Sequence, residues 1–524
     1  MSIAGFGTLD QIARRNAQRF PDKPALLMGD RSCTWKQLDQ RVDRIAGALL
    51  ARGLKPGAMV AVLLANCPEF IELYFGIARA GLIATPVNYR LTANELTQIL
   101  SHAHPALLVV GAGFAERAKE LESTLPALRR RWVVGHSDVS LADAEDYEQV
   151  LAQAPDTPVV SPASENDTFA IFFTSGTTGL PKGAMVSHLN LETNAYNQFV
   201  ADGSLREDIN LIGTPLYHMG AVFMAVTYMM LGCTQVILEY FDPAGWLDAL
   251  QKRKASVALL VPTMINAVLN HGKLADYDLS SLRLIFYGGG PMPPAVLRRA
   301  LERMRCGFTQ GYGLTETLEA TFLVTSDHVL DGSPQQEKRL ASAGREAVSA
   351  EIRIVDTSGK DLAPNEVGEI LVRSRSVISG YWNMPEETAA TIRAGWFHTG
   401  DLGYLDEERY LFLVDRLKDM VISGGVNIYT KEVESVLYNH PAVLEAAVIG
   451  LPDEAWGEIV VAIVVLRPGL QATADELVEH CRTSLASYKK PREVHFLDEL
   501  PKNPSGKILK RELRLRLAQK PDSV

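Results

Sequence analysis

A loop rich in glycine and hydroxyl residues follows the apolar, strand-like segment Phe169–Phe173. Glycines let the backbone approach a ligand, hydroxyls donate hydrogen bonds and a lysine supplies a positive charge, so the loop predicts a polyphosphate cradle rather than a plain turn. It is not the P-loop motif, because Gly183 follows Lys182 where that motif has Ser or Thr. The predicted cradle residues are Thr174, Ser175, Gly176, Thr177, Thr178, Gly179 and Lys182.

A second cluster, Gly311–Glu316, places an aromatic ring, a hydroxyl and a carboxylate close together in the sequence. Tyr312 can stack on a nucleobase, Thr315 can donate to a phosphate, and Glu316 can hold Mg²⁺ that bridges phosphate oxygens. A glutamate after a glycine-rich turn is also typical of a solvated helix cap, and that alternative stays open for the motif alone.

A third cluster combines Asp401 with Arg416, which can together bind the hydroxyls of a ribose. A buried ion pair is the structural alternative. The last cluster is a Pro- and Gly-rich loop around Lys507, inside the basic segment 482–520, which carries eleven basic and four acidic residues. Lys507 can reach a phosphate or carboxylate oxygen, although most lysines are simply solvated.

The elements that must position these residues alternate between helix and strand in the first two thirds of the chain. Repeated helix-then-strand units predict parallel sheets covered by helices. The main signals are a helix capped by Thr34, a strand at Met59–Ala65, a helix opened by Pro68, a capping box of Thr92 with Glu95, and apolar runs at Ala106–Val110, Val257–Val261 and Leu284–Tyr287.

After about Ala350 the pattern changes to short strands, and beyond Asp415 a compact α+β unit follows. The signals are strands at Glu351–Val355, Gly368–Val372, Tyr410–Val414, Ala446–Ile449 and Val460–Leu466, and helices near Lys431–Tyr438 and after Thr473. We therefore predict an α/β fold: a large N-terminal domain, residues 1–415, of helix-covered mixed and parallel sheets with a small β-rich part, and a small mobile α+β C-terminal domain, residues 416–524. The segment 415–419 is too short for a flexible linker and predicts a hinge.

Composition narrows the class of protein. The chain has 524 residues and a net charge of −10, which disfavours a nucleic-acid or anionic-membrane binder. Its five scattered cysteines predict free thiols in a reducing cytoplasm, and no secretory signal is visible. Residues 219–238 lack charge, but Gly232 interrupts them, which favours a buried helix followed by a strand over a transmembrane helix.

Taken together, these motifs resemble the adenylate-forming superfamily, specifically the acyl-CoA synthetases that include fatty-acyl and 4-coumarate CoA ligases. The resemblance covers nearly the whole chain, and the motifs occur in the family's order: 174–183, Tyr217-His218, Gly288–Pro291, 311–316, 395–401, 415–418, Ser423–Gly425 and 503–507.

That resemblance implies an enzyme that joins a carboxylic acid to ATP with loss of pyrophosphate and then transfers the acyl group to the thiol of coenzyme A. It assigns Thr174, Glu316, His218 and Lys507 to catalysis, and Glu316 to Mg²⁺. It assigns the cradle to the β and γ phosphates, and Gly289, Tyr312, Gly313, Thr315, Asp401 and Arg416 to the nucleotide. Lys418 is the hinge, Gly424 and Gly425 line the thiol tunnel, and Lys489 and Lys490 are weak candidates for CoA phosphates, since they can equally be a solvated face.

The acyl pocket implied by the resemblance follows His218 and includes the surroundings of 261–265 and 288–290, with Phe223 and Met264 available as walls. No acidic residue occurs between His218 and Glu239, which disfavours an amino-acid substrate. We therefore predict a fatty (medium- to long-chain) or aryl acid. An acyl-AMP ligase that loads an acyl-carrier protein and a non-enzymatic nucleotide-binding protein are the alternatives, and peripheral membrane contact and a homo-oligomer stay open.

Overall fold

The computed structural model describes residues 7–174, 181–290, 292–424, 426–454, 456–502 and 508–518. For Ala518 it describes the backbone alone. The described residues form two compact units, Met1–Ile352 with Val372–Phe397 and Arg353–Leu371 with His398–Val524. The limits of these units differ from the single boundary predicted between residues 415 and 416, which stays a prediction.

The first unit is built of alternating helices and strands. Its helices are α1 (Gln11–Arg19), α2 (Trp35–Ala51), α3 (Pro68–Arg79), α4 (Ala93–Ala103), α5 (Ala115–Thr124), α6 (Tyr147–Gln153), α7 (His188–Asp202), α8 (Met219–Met230), α9 (Pro243–Arg253), α10 (Pro262–Leu269), α11 (Pro294–Met304), α12 (Pro334–Arg339) and α13 (Pro385–Thr391). Its strands are β1 (Pro24–Met28), β2 (Arg31–Thr34), β3 (Met59–Leu63), β4 (Ile83–Pro86), β5 (Leu107–Gly111), β6 (Arg131–Val134), β7 (Ala144–Asp146), β8 (Thr168–Thr174), β9 (Lys182–Ser187), β10 (Ile209–Ile212), β11 (Thr234–Ile237), β12 (Val257–Leu260), β13 (Leu284–Tyr287), β14 (Gly307–Leu314), β15 (Leu318–Leu323) and β16 (Arg345–Glu346).

Further along the chain, the unit limits fall within strands β17 (Ala350–Val355), β18 (Gly368–Ser374) and β20 (Trp396–Leu405), while β19 (Ile392–Arg393) belongs to the first unit. The second unit also contains β21 (Leu411–Arg416), β22 (Val421–Ser423), β23 (Val426–Ile428), β24 (Val443–Asp453), β25 (Gly457–Leu466) and β26 (Glu493–Phe496). Its helices are α14 (Thr430–Tyr438), α15 (Ala474–Ser484) and α16 (Lys510–Ala518).

Two sheets organise the first unit. Within the described residues, one has the strand order β7-β6-β5-β3-β4-β8-β9 and the other β16-β15-β14-β13-β12-β10-β11-β1-β2. The inner strands run parallel, and antiparallel pairs occur at the margins, as in β8 with β9 and β14 with β15. The buried apolar strands β3, β5, β12 and β13 match the predicted continuous runs, because both faces of a helix-covered parallel sheet are buried.

The local signals read from the sequence correspond to observed helix ends. Thr34, Thr92 and Thr473 each cap a helix through a capping box, with Gln37, Glu95 and Glu476 as reciprocal partners. Met219–Met230 is a buried helix followed by strand β11, as predicted. None of the helices in the described part of the chain has the length and apolar character needed to cross a membrane.

The second unit contains a sheet with helices on both faces, which matches the compact α+β unit predicted beyond Asp415. Its sheet has the order β23-β22-β25-β24, and β26 pairs with β25. Successive side chains of β24 point to opposite faces of this sheet, and both faces are buried. Ala446 and Val448 pack into the cluster that contains α14 and α15 residues, whereas Ala447 and Ile449 pack with Leu513 of α16.

Candidate active site

The β8–β9 hairpin carries the predicted phosphate cradle. Thr174, the last residue of β8, pairs across the hairpin with Lys182, the first residue of β9. The cradle residues Ser175, Gly176, Thr177, Thr178 and Gly179 lie outside the described residues, as do Gly425 and Lys507. The hairpin therefore places the two described ends of the cradle, a hydroxyl and an ammonium group, beside one another.

Glu316 lies in the turn between β14 and β15, where the sequence places the second cluster. The Thr317 hydroxyl accepts a 2.9 Å hydrogen bond from the backbone N–H of Leu314, which fixes this turn. Oε1 of Glu316 accepts hydrogen bonds from the Tyr381 hydroxyl at 3.1 Å and, more weakly, from the Thr174 hydroxyl at 3.4 Å. The structure thus brings together Thr174 and Glu316, two of the predicted catalytic residues.

Lys182 is anchored by a partner that the sequence analysis did not identify. Its ammonium group forms an ion pair with Glu387 of α13 and lies 5.3 Å from the centre of the Tyr381 ring. Because both carboxylate and ring attract a cation, they hold the ammonium at the end of the cradle. The segment 380–387 was not singled out because nothing in its local sequence signals this contact.

Backbone contacts fix the segment that carries Tyr381. The N–H of Trp382 donates to the carbonyl of Gly183 at 2.8 Å, and the N–H of Met185 donates to the carbonyl of Gly380 at 3.0 Å. The 380–382 segment therefore lies along strand β9. One residue, Tyr381, contacts both the predicted metal-binding carboxylate and the predicted phosphate-binding lysine.

His218 stands at the start of α8 and is neutral at physiological pH. Burial, with a smaller contribution from the Arg90 charge, lowers its pKa to about 4. Its Nε2 atom is inaccessible to solvent and has no hydrogen-bond partner among the described residues. A neutral imidazole can donate or accept one hydrogen bond but offers no positive charge to a substrate carboxylate.

The remaining predicted nucleotide residues of this unit lie on or next to β13 and β14. The Tyr312 ring is buried, at 7% exposure, while Thr315 in the following turn is partly exposed. Gly289 lies in the exposed loop after β13. At Gly313 a Cβ atom would collide with the backbone carbonyl of Leu318, so close strand approach requires glycine there.

In the second unit, Asp401 and Arg416 form an ion pair, the structural alternative that the sequence analysis left open beside ribose binding. They are cross-strand neighbours in β20 and β21, and Nε of Arg416 lies 2.6 Å from Oδ1 of Asp401. The Asp401 side chain is 9% exposed and that of Arg416 29% exposed. Thr399 supports the pair, because its hydroxyl accepts a 3.0 Å hydrogen bond from the N–H of Asp401.

The predicted hinge and tunnel residues lie in the same unit. Lys418 is exposed, between Arg416 and Asp419. Gly424 has φ +57°, and a Cβ atom there would lie 2.9 Å from the Trp456 ring. Lys489 is paired with Glu432 at 2.7 Å, which favours the alternative that this lysine is structural.

Glu316 fits the role of a magnesium ligand. Among the described residues, no group of three or more His, Cys, Asp or Glu is placed to hold a metal ion. Mg²⁺ is commonly held by one or two carboxylates together with substrate phosphates and water, so it needs no protein cage. The Glu316 carboxylate, partly exposed beside the cradle hairpin, meets that requirement.

Comparison with known proteins identifies the family. The family of AMP-binding enzymes matches residues 13–382, and the AMP-binding enzyme C-terminal domain matches residues 432–507. The chain belongs to the AMP-binding enzymes, the adenylate-forming superfamily that the motifs predict. The predicted fold class and the AMP-forming acid–thiol ligase class are confirmed.

Several relatives match over nearly their whole length. The chain is 38% identical over 503 residues to a feruloyl-CoA synthase of Amycolatopsis sp, covering 96% of this chain and 97% of the relative. It is 37% identical over 523 residues to the fatty acid–[acyl-carrier-protein] ligase ScoC of Streptomyces coeruleorubidus, covering 97% and 96%. The solved structure of o-succinylbenzoate CoA synthetase from Bacillus subtilis, in complex with its acyl-adenylate intermediate, matches with a TM-score of 0.85 and 30% identity, covering 98% of each chain.

Proposed function

We propose that the protein is an ATP- and Mg²⁺-dependent acid–CoA ligase that acts on a hydrophobic aryl or fatty carboxylic acid. The observation that carries this proposal is the contact of Glu316 with both Thr174 and Tyr381, beside a lysine at the end of a phosphate-cradle sequence. The relatives support the acid–thiol ligase class, and one of them is a feruloyl-CoA synthase.

The first half-reaction makes the acid a good acyl donor. A carboxylate has no leaving group, so one of its oxygens attacks the α-phosphorus of ATP, the bond to the bridging oxygen breaks, and pyrophosphate leaves. Lys182 and the loop that it ends hold the β and γ phosphates, while Lys507 stabilises the charge that develops on the α-phosphate.

Glu316 holds the metal in this proposal. Mg²⁺ supplies charge neutralisation for the phosphate oxygens. Thr174 and Tyr381 orient the Glu316 carboxylate by donating to Oε1, and this carboxylate would hold the metal ion. Lys182 exchanges its ion pair with Glu387 for the incoming phosphates, because both carry negative charge.

The second half-reaction transfers the acyl group to a thiol. The thiol sulfur attacks the acyl carbonyl, its proton goes to solvent, and AMP leaves. Asp401 and Arg416 bind the ribose through both half-reactions. Gly424 and Gly425 leave room for the pantetheine arm, and rotation at Lys418 exchanges Lys507 for this surface.

An apolar wall supports the hydrophobic character of the acid. Phe223 of α8 packs edge-on against Phe286 of β13, with ring centres 5.6 Å apart, and Leu259 is the neighbour of Phe286 in the sheet. Phe223, Leu259 and Phe286 pack together where helix α8, which follows His218, covers the sheet. The predicted wall residue Met264 is only partly buried. It packs against a separate apolar cluster formed by residues of α10 and α11, and not against Phe223 and Phe286.

A ligase that loads an acyl-carrier protein is the second candidate, because a relative at 37% identity carries that activity. Both functions release pyrophosphate, so the acceptor separates them. Pyrophosphate release and acyl-CoA formation are measured for fatty acids of two to eighteen carbons and for cinnamic and benzoic acids, with and without CoA. Thioester formation that requires CoA supports the ligase, whereas pyrophosphate release without a CoA product supports the carrier-protein loader. Cytoplasmic location stays a prediction, while peripheral membrane contact and a homo-oligomer stay open.

A further inference from the structure

The acidic residue Glu319 lies on β15 against helix α7, beside the Phe286 ring and near the Asp202 carboxyl group. It pairs with Gly313 across the β14–β15 hairpin, and its N–H donates a 3.0 Å hydrogen bond to Oδ1 of Asn194 in α7. The pairing register of this hairpin shifts between Tyr312 and Gly313, and the shared face is shown by contact instead, because the Cβ position of Gly311 lies against both the Glu319 carboxylate and the Phe286 ring. Glu319 and the Phe223–Phe286 wall therefore share one face.

Two side chains occupy the room that the glycine at position 311 leaves on this face. At Gly311 a Cβ atom would collide with the Glu319 carboxylate and the Phe286 ring, so both side chains lie over the bare backbone of β14. Gly311 begins the motif that ends at Glu316. The Glu319 carboxyl group thus lies beside the strand that leads directly to the predicted reaction centre.

The carboxyl group is deep but incompletely satisfied. Its Oε2 atom is inaccessible to solvent and accepts no hydrogen bond from any described residue, although the residue as a whole is partly exposed. Leaving a buried polar atom without a partner destabilises the fold, so such atoms usually meet water or a ligand. Burial, with the nearby Asp202 carboxyl group, raises the pKa of Glu319 to about 8. A protonated carboxyl group both donates and accepts hydrogen bonds.

We propose that Glu319 is a specificity-determining residue that hydrogen-bonds a hydroxyl or amino substituent on the acid, remote from its reacting carboxylate. This inference rests on the proposed function and narrows its substrate class to ring-bearing acids with a hydrogen-bond donor. A plain alkyl chain would leave the buried oxygen unpaired, and a site with an unpaired polar group discriminates against such a substrate.

The test compares benzoic and cinnamic acids with their 2-, 3- and 4-hydroxy and amino derivatives, and with octanoic acid. Wild type is compared with Glu319→Leu and Glu319→Met, which remove the polar group, and with Glu319→Gln, which keeps it. Asp202→Asn is the comparison variant, because it keeps the Glu319 side chain and removes the neighbouring carboxyl group that helps raise the pKa of Glu319. The readouts are kcat/KM for pyrophosphate release and the calorimetric Kd of each acid in the presence of a non-hydrolysable ATP analogue.

We expect wild type to prefer at least one substituted acid over its parent by about 10-fold or more, by analogy with other hydrogen-bonding specificity sites. Glu319→Leu and Glu319→Met reduce that ratio to within about 2-fold, while Glu319→Gln and Asp202→Asn retain most of it. An unchanged ratio in a folded Leu or Met variant, or wild-type preference for unsubstituted acids throughout, would overturn the inference.

The two proposals fail in different ways. Pyrophosphate release without acyl-CoA overturns the CoA-ligase function and still gives the substituent ratio. If no acid releases pyrophosphate, the ligase proposal fails, and the calorimetric ratio for wild type and the variants decides the role of Glu319. Thermal melting identifies any variant that does not fold. If either Glu319→Leu or Glu319→Met does not fold, the other one supplies the substituent ratio.

Discussion

The Tyr381 hydroxyl donates a 3.1 Å hydrogen bond to Oε1 of Glu316, although 65 positions separate the two residues. The Tyr381 ring also lies 5.3 Å from the ammonium group of Lys182. Tyr381 therefore links the predicted metal-binding carboxylate to the predicted end of the phosphate cradle, and we propose that it positions both groups for the adenylation step.

Tyr381→Phe is expected to lower kcat for pyrophosphate release by about 5-fold to 10-fold, because it removes one hydrogen bond to a charged group and keeps the ring over Lys182. Steady-state kinetics with varied Mg²⁺ checks this, and the Mg²⁺ concentration for half-maximal rate should rise. Tyr196→Phe is the control, since this half-exposed tyrosine hydrogen-bonds Glu192 away from the site. Wild-type kinetics and Mg²⁺ dependence in Tyr381→Phe would contradict the positioning role.

Glu387→Gln is expected to lower KM for ATP by about 2-fold to 5-fold, because the Lys182 ammonium no longer leaves an ion pair to meet the phosphates. Lys182→Ala should raise the KM for ATP by about 10-fold or more, because it removes a charge-assisted hydrogen bond to the phosphates. The control is Glu351→Gln, which breaks an ion pair with Arg373 at an exposed position. A higher KM for ATP in Glu387→Gln would show that Glu387 itself supports nucleotide binding.

The sequence singled out Thr174, Lys182 and Glu316 because they lie in short motifs at the ends of strands. It singled out Asp401, within β20, and Arg416, at the end of β21, through two separate short motifs. It also predicted helix ends at Thr34, Thr92 and Thr473, where the capping chemistry is local. Tyr381, Glu387 and Glu319 were missed because their importance depends on partners that only the tertiary fold supplies. The unit limits within β17, β18 and β20 have no sequence signal for a similar reason, since continuous strands carry no linker.

Asp401→Asn is expected to raise KM for ATP by about 10-fold, because the amide cannot accept two hydroxyl donors as strongly as the carboxylate does. It also removes the negative charge that lies 2.6 Å from the Arg416 guanidinium, so thermal melting should be measured beside the kinetics. Asp406→Asn, at another buried acidic position in the same unit, is the matched control. Loss of stability with unchanged KM would favour the structural ion-pair alternative.

The buried carboxyl group of Glu319 predicts a pH-dependent stability difference. Its pKa is raised from 4.5 to about 8 by burial, so the folded protein retains a proton that the unfolded chain loses over this range. The free energy of unfolding of wild type, relative to Glu319→Gln, should therefore fall as pH rises from 5 to 8, by up to about 1.4 kcal/mol per pH unit. Denaturant titrations at several pH values check this, and a flat difference would contradict the raised pKa.

Two variants separate the half-reactions. Lys507→Ala should slow adenylation by about 10²-fold to 10³-fold while thioester formation from supplied acyl-adenylate continues, because its charge acts on the α-phosphate. Gly425→Leu should do the reverse by obstructing the thiol path. Gly425 is preferred to Gly424, because the positive φ of Gly424 and its contact with Trp456 would strain any substitution. Equal losses in both steps for either variant would contradict the division of labour.

The most direct test of the central claim is acyl-CoA formation by the wild-type enzyme with ATP, Mg²⁺ and the panel of fatty, benzoic and cinnamic acids, with and without CoA. The account predicts pyrophosphate release and a thioester product that requires both ATP and CoA, with the highest kcat/KM for a hydroxyl- or amino-substituted aryl acid. Pyrophosphate release without any CoA thioester, across the whole panel, would contradict it.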